Sequence, residues 1–474
     1  MARLLFLQDL EFEFLGPACI SSYLKKNGHE VRLSIGATLT DFQASIKDFQ
    51  PDFIAFSVMS GSHLWALEMA RAIKAEYSIK SIFGGPHPTH FPDLIEKDGV
   101  DIVIRGEGED AILELLNCFD KKTDPCSIRN LWVKENGQIY RNDVRALSED
   151  LDRYPAPDRE LYQILEKKID FSVRHVITSR GCPYQCTFCF NEAMREIYRD
   201  KGKYVRFRNV ASVIEECQEL RDKYRTKIIF FSDDVFGLNM SWQKEFLSEY
   251  SSKVGLPFFC LVRADVLAKN AEYAALLAQS GCKMVSFGIE SGDESLRNEV
   301  LKKNVSNNHI LLAAESLHKA GIPFRTFNIL GLPGETLSQA LTTVQFNIDI
   351  KTDFPWCAVF MPFPGTKLTQ QAIESGLLPA DYNIDCLASS FFAASNLTRH
   401  PHIRELENLQ KFFQTAVLLP WTFPFIKKLI HMKPNILFKL WFGFMYFLVY
   451  VRAERKDFLK MIWFSLKNFR RLLG

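Results

Sequence analysis

Short apolar runs alternate with amphipathic stretches over residues 3–117. The amphipathic stretch GPACISSYLKKNG has helical spacing and is ended by Gly28. The apolar runs have the length of buried strands and read RLLFLQ, EVRLSI, DFIAFSV, SIFGG and DIVIRG. This alternation predicts a parallel, doubly wound sheet, whose ligands bind at the carboxyl ends of the strands. Small or polar residues occupy those ends: Ser57, Ser60, Gly84, Gly85, Gly106, Glu107 and Gly108.

A connector follows this first series. LWVKENGQIYR predicts a β-hairpin, because Asn136-Gly137 suits a type I′ turn. LDRYPAPDRELY is a proline-containing linker, and we place a domain boundary near residue 151.

A second alternating series runs from residue 174 to about 378. Its candidate strands are RHVITS, KIIFFS, FFCLVR, MVSFGI, FRTFNIL and WCAVFM. One intervening helix has an apolar face formed by Val210, Val213, Ile214, Cys217 and Leu220. Six β/α units predict a partial barrel with its active site at the carboxyl ends of the strands. The residues at those ends are Cys182, Asp233, Asp234, Arg263, Glu290, Gly331 and Pro362.

The last section, residues 400–474, has a helical pattern and is aromatic and basic. Residues 427–474 hold eleven Lys or Arg and two acids, a net charge of +9 in a chain of net charge +2. The uncharged run from Leu440 to Val451 is too short to span a bilayer core of about 30 Å. Two interpretations remain open for this section: a helical cap on the barrel, or an interfacial membrane contact.

The chain length of 474 residues accommodates three domains. We predict them at residues 1–150, 151–380 and 381–474. The opening MARLLFLQDLEFEF becomes acidic too early for a signal peptide, and the eleven cysteines lack the spacing of a secreted disulfide framework. We therefore expect a cytoplasmic protein, in a reducing compartment that leaves thiols available for metal.

Three cysteines, Cys182, Cys186 and Cys189, lie within GCPYQCTFCFN. Structural zinc sites usually take four ligands, and no fourth Cys or His follows closely. Three thiolates leave one coordination position of a metal centre open, which favours chemistry over structural binding. A zinc site or chance clustering is the alternative.

The C-x₃-C-x₂-C spacing, with Phe188 before the last cysteine, resembles the radical SAM family. In that family three thiolates hold a [4Fe–4S] cluster whose fourth iron binds S-adenosylmethionine (SAM). One electron from the cluster cleaves SAM and yields a 5′-deoxyadenosyl radical, which removes hydrogen from an unactivated carbon. The resemblance also implies an external one-electron reductant of the flavodoxin or ferredoxin type.

Other strand ends resemble the family's SAM-binding segments. FGIESGDE, ILGLPGET and LVRAD assign SAM contacts to Glu290, to Gly331 and Glu335, and to Arg263. FSDDVF stands where the family often has Gly-Gly-Glu, so Asp233 and Asp234 depart from the pattern. The alternative for each residue is a salt bridge or turn at the barrel rim.

The first domain resembles the Rossmann-like cobalamin-binding domain of one radical SAM subgroup. The matching stretches are GPACISSYLKKNGHEV, PDFIAFSV, FGGPHPT and VIRGEGE, and they assign the strand-end residues above to cobalamin. The Asp-x-His-x-x-Gly motif that ligates cobalt in many such domains is absent, since Asp9 is followed by LEFEF. His87 and His90 lie on the nucleotide-loop side by analogy, so we expect no protein histidine on cobalt. A degenerate domain without cobalamin is the alternative.

These resemblances predict a cobalamin-dependent radical SAM methyltransferase acting on a hydrophobic, lipid-like or natural-product-like small molecule. One SAM would methylate cobalamin, and a second would generate the radical. The alternatives are an oxidoreductase or cyclase of the magnesium-protoporphyrin ester cyclase type, and a non-catalytic iron–sulfur or cobalamin sensor. We expect no nucleic-acid partner. Cys260 and Cys357 fall on predicted strands, either as packing residues or as hydrogen donors.

Overall fold

The computed structural model describes residues 1–166, 168–387 and 395–455. By their contacts, the residues form two compact units. The first comprises Met1–Pro183 and Phe190–Lys227, and the second comprises Tyr184–Cys189 and Ile228–Gly474. Each unit is described by itself.

The first unit contains the predicted doubly wound sheet. Its strands are β1 (Arg3–Gln8), β2 (Glu30–Ile35), β3 (Phe53–Ser57), β4 (Lys80–Gly84), β5 (Ile102–Ile104), β6 (Leu131–Glu135) and β7 (Gln138–Arg141). The order is β2-β1-β3-β4-β5-β6-β7, with β1 to β5 parallel and the last two strands antiparallel. The strand order reverses between β1 and β3, which in such sheets marks the ligand crevice.

Alternating side chains of these strands enter two cores, one on each face of the sheet. Leu4 and Phe6 of β1 belong to one core, whereas Leu5 and Leu7 belong to the other. The helices of the unit are α1 (Leu15–Lys26), α2 (Leu39–Phe49), α3 (His63–Tyr77), α4 (Pro86–His90), α5 (Glu109–Lys121), α6 (Phe190–Ile197) and α7 (Val210–Asp222). Short strands β8 (Val173–Val176), β9 (Ser179–Arg180) and β10 (Arg206–Phe207) complete it.

The predicted hairpin is confirmed. Glu135 of β6 pairs with Gln138 of β7, so the connection has two residues. Asn136 and Gly137 both have positive φ, 51° and 78°, as a type I′ turn requires.

The second unit contains the remaining five predicted barrel strands. They are β11 (Ile228–Phe231), β12 (Phe258–Leu261), β13 (Cys282–Glu290), β14 (Phe324–Leu330) and β15 (Phe354–Val359). These strands are parallel and adjacent in the order β15-β14-β13-β12-β11. The helices are α8 (Met240–Lys253), α9 (Ala264–Lys269), α10 (Tyr273–Gln279), α11 (Asn307–Lys319), α12 (Leu337–Asp349), α13 (Lys367–Glu374), α14 (Ile403–Leu418), α15 (Phe423–Leu429) and α16 (Ile436–Ala453).

The two faces of this second sheet have different surroundings. On the outer face, Phe231 and Phe258 contact the ring of Tyr250 on α8. On the opposite face, which we call the inner face, alternate residues of four strands form one cluster with Ala453 of α16: Ile228, Phe230, Phe259, Met284 and Phe354. The C-terminal section is helical as predicted and packs on this unit, and residues 456–474 lie outside the described part.

Cys260 and Cys357 are both buried, at 0% and 4% exposure. Cys357 packs with Leu330 and Val344 in the core that α12 and α14 share, and burial raises its thiol pKa well above the usual value. Cys260 lies with its sulfur 4.0 Å from the sulfur of Cys282 on the next strand. These surroundings are those of packing residues.

Candidate functional site

The cysteine segment is fixed to the second unit between its second and third cysteines. The Thr187 amide donates to the Leu301 carbonyl at 3.1 Å, and the Thr187 hydroxyl donates to the Val300 carbonyl at 2.8 Å. Phe188 packs against the core of Leu301 and its neighbours. Cys186 and Cys189 therefore project from a segment held by two hydrogen bonds of Thr187 to backbone carbonyls and by the partly buried ring of Phe188.

The three cysteines are partly exposed, and none is in a disulfide. Cys182 belongs to the first unit, whereas Cys186 and Cys189 belong to the second. Among the described residues, no group of three or more Cys, His, Asp or Glu side chains is already assembled around a metal position. The fit of the three thiols to an iron–sulfur cluster therefore rests on their chemistry and surroundings.

The surroundings of Cys186 are cationic. Burial raises the pKa of its thiol, and the positive charges of Lys303 and Arg263 act in the opposite direction. Such cations favour the thiolate, the form that binds iron. Lys303 is a residue that the sequence did not single out, and it lies within LKKNV after β13.

Arg263 follows β12, as predicted, and is held from three sides. Its Nε donates to Asp265 at 2.9 Å, and its Nη2 donates to the Lys303 carbonyl at 2.8 Å. Its guanidinium carbon lies 3.4 Å from the ring centroid of Tyr184, within the cysteine segment. With only 7% exposure, this side chain is a preorganised cation beside Cys186.

Glu290 ends β13 in the left-handed region, with φ 63°, which a non-glycine residue rarely adopts. The register with β14 shifts between Gly288 and Glu290, so the backbone turns here. The carboxylate accepts a hydrogen bond from Lys303 Nζ at 2.6 Å. Strained backbone of this kind is typical of functional sites, where the fold holds a side chain in one orientation.

Glu335 closes the glycine-rich loop after β14. Its Oε2 accepts from the amides of Gly331 and Leu332, at 2.6 and 3.2 Å, while Oε1 has no hydrogen-bond partner. Burial raises the pKa of this carboxyl to about 8. Gly331 has φ 78°, so the turn suits glycine. The geometry gives Glu335 a positioning role on the Gly331 turn.

The two acids after β11 differ in exposure. Asp233 is 1% exposed, whereas Asp234 is exposed at the strand end. Among these two, Asp234 is the one placed to reach a ligand.

The cluster and SAM fit the residues present. Two of the three thiols stand in the same unit as a fixed guanidinium and a buried ammonium, and Glu290 supplies a carboxylate. SAM carries a carboxylate, an amino group and ribose hydroxyls, which such groups bind by charge-assisted hydrogen bonds.

The carboxyl edge of the first sheet is organised around the loop that follows β1. The Gln8 side chain donates to the carbonyls of Leu10 and Phe12, the second at 2.7 Å. Exposed apolar side chains collect in the loops after β1 and β3 and at the start of α3: Leu10 at 44%, Phe12 at 47%, Met59 at 43% and, on α3, Leu64 at 57%. The sequence analysis missed these residues, because a single apolar residue in a loop carries no pattern.

Ser60 and the histidines near it form a small polar group. Its hydroxyl lies 3.2 Å from His87 Nδ1, and the His87 ring stacks on His63 at 4.3 Å between centroids. His90 contacts the Phe190 ring at 4.4 Å, and burial together with Arg105 lowers its pKa to about 4. His87 is thus engaged by neighbouring side chains, and His90 is neutral at ordinary pH.

Glycines at this edge are required by protein contacts. A Cβ on Gly85 would lie 3.0 Å from the Val58 backbone, and Gly85 has φ 99°. A Cβ on Gly106 would overlap the hydroxyl of Tyr198. A Cβ on Gly84 or on Gly108 would meet only ordinary van der Waals contacts, so these are the glycines beside which space remains.

Glu107 is bound within the protein. Its carboxylate accepts from Arg206 Nη1 at 3.1 Å and forms an ion pair with Arg180 at 3.4 Å. The amide of Glu107 donates to the Tyr198 hydroxyl at 2.8 Å. The side chain therefore orders the turn between Gly106 and Gly108, and the backbone of the turn is the part left to meet a ligand.

Cobalamin fits this edge by the nature of the surface. The strand order reverses here, and the uncovered apolar side chains beside Ser57 and Ser60 suit a large ligand with an apolar ring system and polar substituents. The loop between β1 and α1 contains no histidine, which is consistent with cobalt bound without a protein imidazole there.

Comparisons with known proteins match both units. The model described as Radical SAM superfamily matches residues 176–346, and that of the B12 binding domain matches residues 10–116. An uncharacterised methyltransferase of Pyrococcus horikoshii is 30% identical over 374 residues, which cover 77% of this chain and 79% of that protein. The anaerobic magnesium-protoporphyrin IX monomethyl ester cyclase of Rubrivivax gelatinosus is 23% identical, with coverage of 86% and 74%.

A solved structure has the same fold. The cobalamin-dependent S-adenosylmethionine radical enzyme OxsB, with aqua-cobalamin and S-adenosylmethionine bound, superposes with a TM-score of 0.69 at 17% identity. The match covers 99% of this chain and 75% of that chain. The chain belongs to the radical SAM superfamily, in its cobalamin-dependent methyltransferase family, and its cofactors are a [4Fe–4S] cluster, SAM and cobalamin.

Proposed function

We propose that this enzyme transfers a methyl group to an unactivated carbon of a hydrophobic small molecule. The observation that carries the substrate class is the inner face of the second sheet. Toward the carboxyl ends of the strands this face presents half-buried apolar side chains, Leu261, Phe327, Ile329, Trp356 and Ala358, next to the buried Ser286 and Arg325. Such a lining favours an apolar substrate held away from water.

We assign the cofactors as follows. Cys182, Cys186 and Cys189 hold the cluster. SAM is bound by Phe188, Asp234, Arg263, Glu290 and Gly331, and the buried Asp233 and Glu335 shape this site through the turns they support. Cobalamin is bound by Ser57 and Ser60, beside Gly84 and Gly85, and by the backbone of the turn Gly106, Glu107 and Gly108, whose Glu107 carboxylate is held by Arg206 and Arg180. When bound, the cluster supplies the electron for SAM cleavage, and cobalamin carries the methyl group.

The chain's own residues contribute charge and exclusion of water. Arg263 offers a guanidinium to the SAM carboxylate, and Lys303 orients the Glu290 carboxylate. Asp234 is exposed and would offer a carboxylate to the positive amino group of SAM, while the buried Asp233 and Glu335 support their turns. The apolar inner face keeps water from the substrate radical, which would otherwise react elsewhere.

Further features of the assignment are proposals of the same kind. The three domains span residues 1–150, 151–380 and 381–474. A flavodoxin or ferredoxin type protein supplies the electron, and the enzyme is cytoplasmic with a peripheral membrane contact.

Methyl-labelled SAM tests the reaction. Anaerobically reconstituted enzyme, given cobalamin, reductant and a lipid extract of the host, should release 5′-deoxyadenosine and S-adenosylhomocysteine in comparable amounts and place label in a product. Enzyme with Cys186→Ala is the matched control. Production of 5′-deoxyadenosine without S-adenosylhomocysteine or labelled product would contradict methyl transfer.

An oxidoreductase or cyclase is the second candidate, favoured by the similarity to the magnesium-protoporphyrin ester cyclase along 86% of this chain. It predicts one 5′-deoxyadenosine per product and no methyl label. A non-catalytic sensor predicts neither 5′-deoxyadenosine nor product.

A further inference from the structure

Exposed apolar side chains are concentrated in one part of the second unit. Of eighteen large apolar residues that the described chain exposes, nine lie in residues 419–444. We call them the C-terminal apolar surface: Leu419, Trp421, Phe425, Met432, Ile436, Leu437, Leu440, Trp441 and Phe444. Trp421, Phe425 and Leu437 are about 70% exposed (71%, 67% and 70%), which is unusual for residues of this size.

The charges within this region are of one sign. Residues 408–453 contain no Asp or Glu, in a chain that has 56 of them. The lysines that accompany the apolar surface are exposed: Lys427, Lys428, Lys433 and Lys439. Lys427 extends over the Phe423 ring at 4.5 Å, so its ammonium lies beside the aromatic side chains. Apolar and cationic groups are therefore interleaved.

The helix that carries much of this surface is anchored to the unit. Phe438 contacts the Phe412 ring of α14 at 4.8 Å, and the Trp441 indole donates to the Thr415 hydroxyl at 2.8 Å. By length and composition α16 is able to cross a membrane, but core helices pass the same test. A helix fixed in this way presents one face outward and does not leave the fold to span a bilayer.

We propose that the C-terminal apolar surface docks on the surface of an anionic phospholipid bilayer. Trp421, Phe425 and Trp441 would lie at headgroup depth, where aromatic side chains are favoured. The four lysines would meet lipid phosphates, and the absence of acids removes any repulsion. The charge complementarity selects an anionic membrane over a neutral apolar partner.

The same helix reaches the proposed substrate region from its other face. Tyr446 contacts the Trp356 ring on β15 at 4.9 Å, and Glu454 forms an ion pair with Arg325 of β14 at 2.6 Å. Docking would thus bring a lipid-soluble substrate next to the inner face, a consequence that rests on the proposed methyl transfer. The docking itself does not depend on it.

Vesicle flotation of the full-length holoenzyme tests the proposal. With vesicles of phosphatidylcholine and phosphatidylglycerol, the protein should float at low salt, bind weakly at high salt and stay unbound to pure phosphatidylcholine. Lys427→Glu, Lys428→Glu and Lys439→Glu together should lower binding by at least about 100-fold, since the loss of each positive charge costs roughly fivefold and each added carboxylate repels the anionic lipid. The matched control is a variant in which the charges of two exposed lysines elsewhere are reversed, Lys121→Glu with Lys319→Glu. It should bind the vesicles as the unmodified protein does.

A second variant tests the apolar part. Trp421→Ser with Phe425→Ser should abolish flotation, whereas Leu311→Ser with Leu312→Ser on α11 should not. Release of 5′-deoxyadenosine in detergent-free buffer should be unchanged in every variant, which shows that each is folded. Three results would overturn the proposal. The first is the absence of flotation at low salt. The second is membrane binding that resists extraction with alkaline carbonate, which indicates a spanning helix, and the third is a concentration-dependent dimer that the serine variants dissociate.

Discussion

The ammonium of Lys303 lies 2.6 Å from the carboxylate of Glu290, and each side chain is 9% exposed. A buried charge whose partner is removed costs roughly 3–5 kcal/mol of folding free energy. Lys303→Met should therefore destabilise the second unit and weaken SAM binding, because the uncompensated carboxylate shifts position. Denaturant unfolding and SAM titration measure the two effects.

The double variant Lys303→Met with Glu290→Gln removes both charges and should recover most of the lost stability without recovering SAM binding. Lys319→Met on α11 is an exposed control and should alter neither quantity. If Lys303→Met and the double variant have the same unfolding free energy, Lys303 and Glu290 are not energetically coupled.

Glu335 should make the stability fall as pH rises. Its carboxyl pKa is raised from 4.5 to about 8, so the folded chain keeps a proton that the unfolded chain has lost. The stabilisation is complete below about pH 4.5 and is lost as pH approaches 8, a loss on the order of a few kcal/mol. Unfolding by denaturant at pH 5, 6.5 and 8 measures it.

Glu335→Gln keeps an acceptor for the Gly331 and Leu332 amides but cannot ionise. Its unfolding free energy should change less between pH 5 and 8 than that of the unmodified protein. Glu374→Gln, at an exposed position on α13, should leave the pH dependence as it was. If the unfolding free energy of the Glu335→Gln variant changes with pH as much as that of the unmodified protein, the Glu335 carboxyl ionises normally.

The strands and the strand-end residues were predictable because they follow local periodicity. In the strand RLLFLQ, for example, successive side chains point to opposite faces of the sheet, so Leu4 and Leu5 lie in different cores. In a parallel sheet the carboxyl ends of successive strands then lie at one edge. The cysteine spacing is equally local. These features need only neighbours in the sequence.

Pairings between distant residues could not be predicted in this way. Lys303 reads as one of two consecutive lysines, and only the fold shows that it faces Glu290 while Lys302 is exposed. The pairing of Arg325 with Glu454 joins residues 129 positions apart. Glu107 was expected at a ligand, but its carboxylate is bound by Arg206, a partner on another element.

Cys186→Ala should abolish the iron–sulfur centre and all SAM cleavage, because one iron loses its thiolate. Iron content, the visible absorption band and 5′-deoxyadenosine release measure this after anaerobic reconstitution. Cys386→Ala, at an exposed cysteine outside the motif, should retain full iron content and turnover. Release of 5′-deoxyadenosine by the Cys186 variant would refute the site.

Cobalamin should bind without a protein histidine on cobalt. The loop between β1 and α1, residues 9–14, contains no histidine, and His87 is already engaged by Ser60 and His63. The EPR spectrum of the cob(II)alamin form should therefore lack nitrogen superhyperfine splitting from an axial base, and a clear nitrogen triplet would contradict this arrangement.

The exposed apolar side chains beside this edge should contribute to cobalamin binding. Phe12→Ser with Met59→Ser should weaken cobalamin binding about tenfold or more, because both substitutions remove apolar contact area with the ligand. Ile164→Ser, at a 54% exposed position in the same unit, is the control and should bind cobalamin normally.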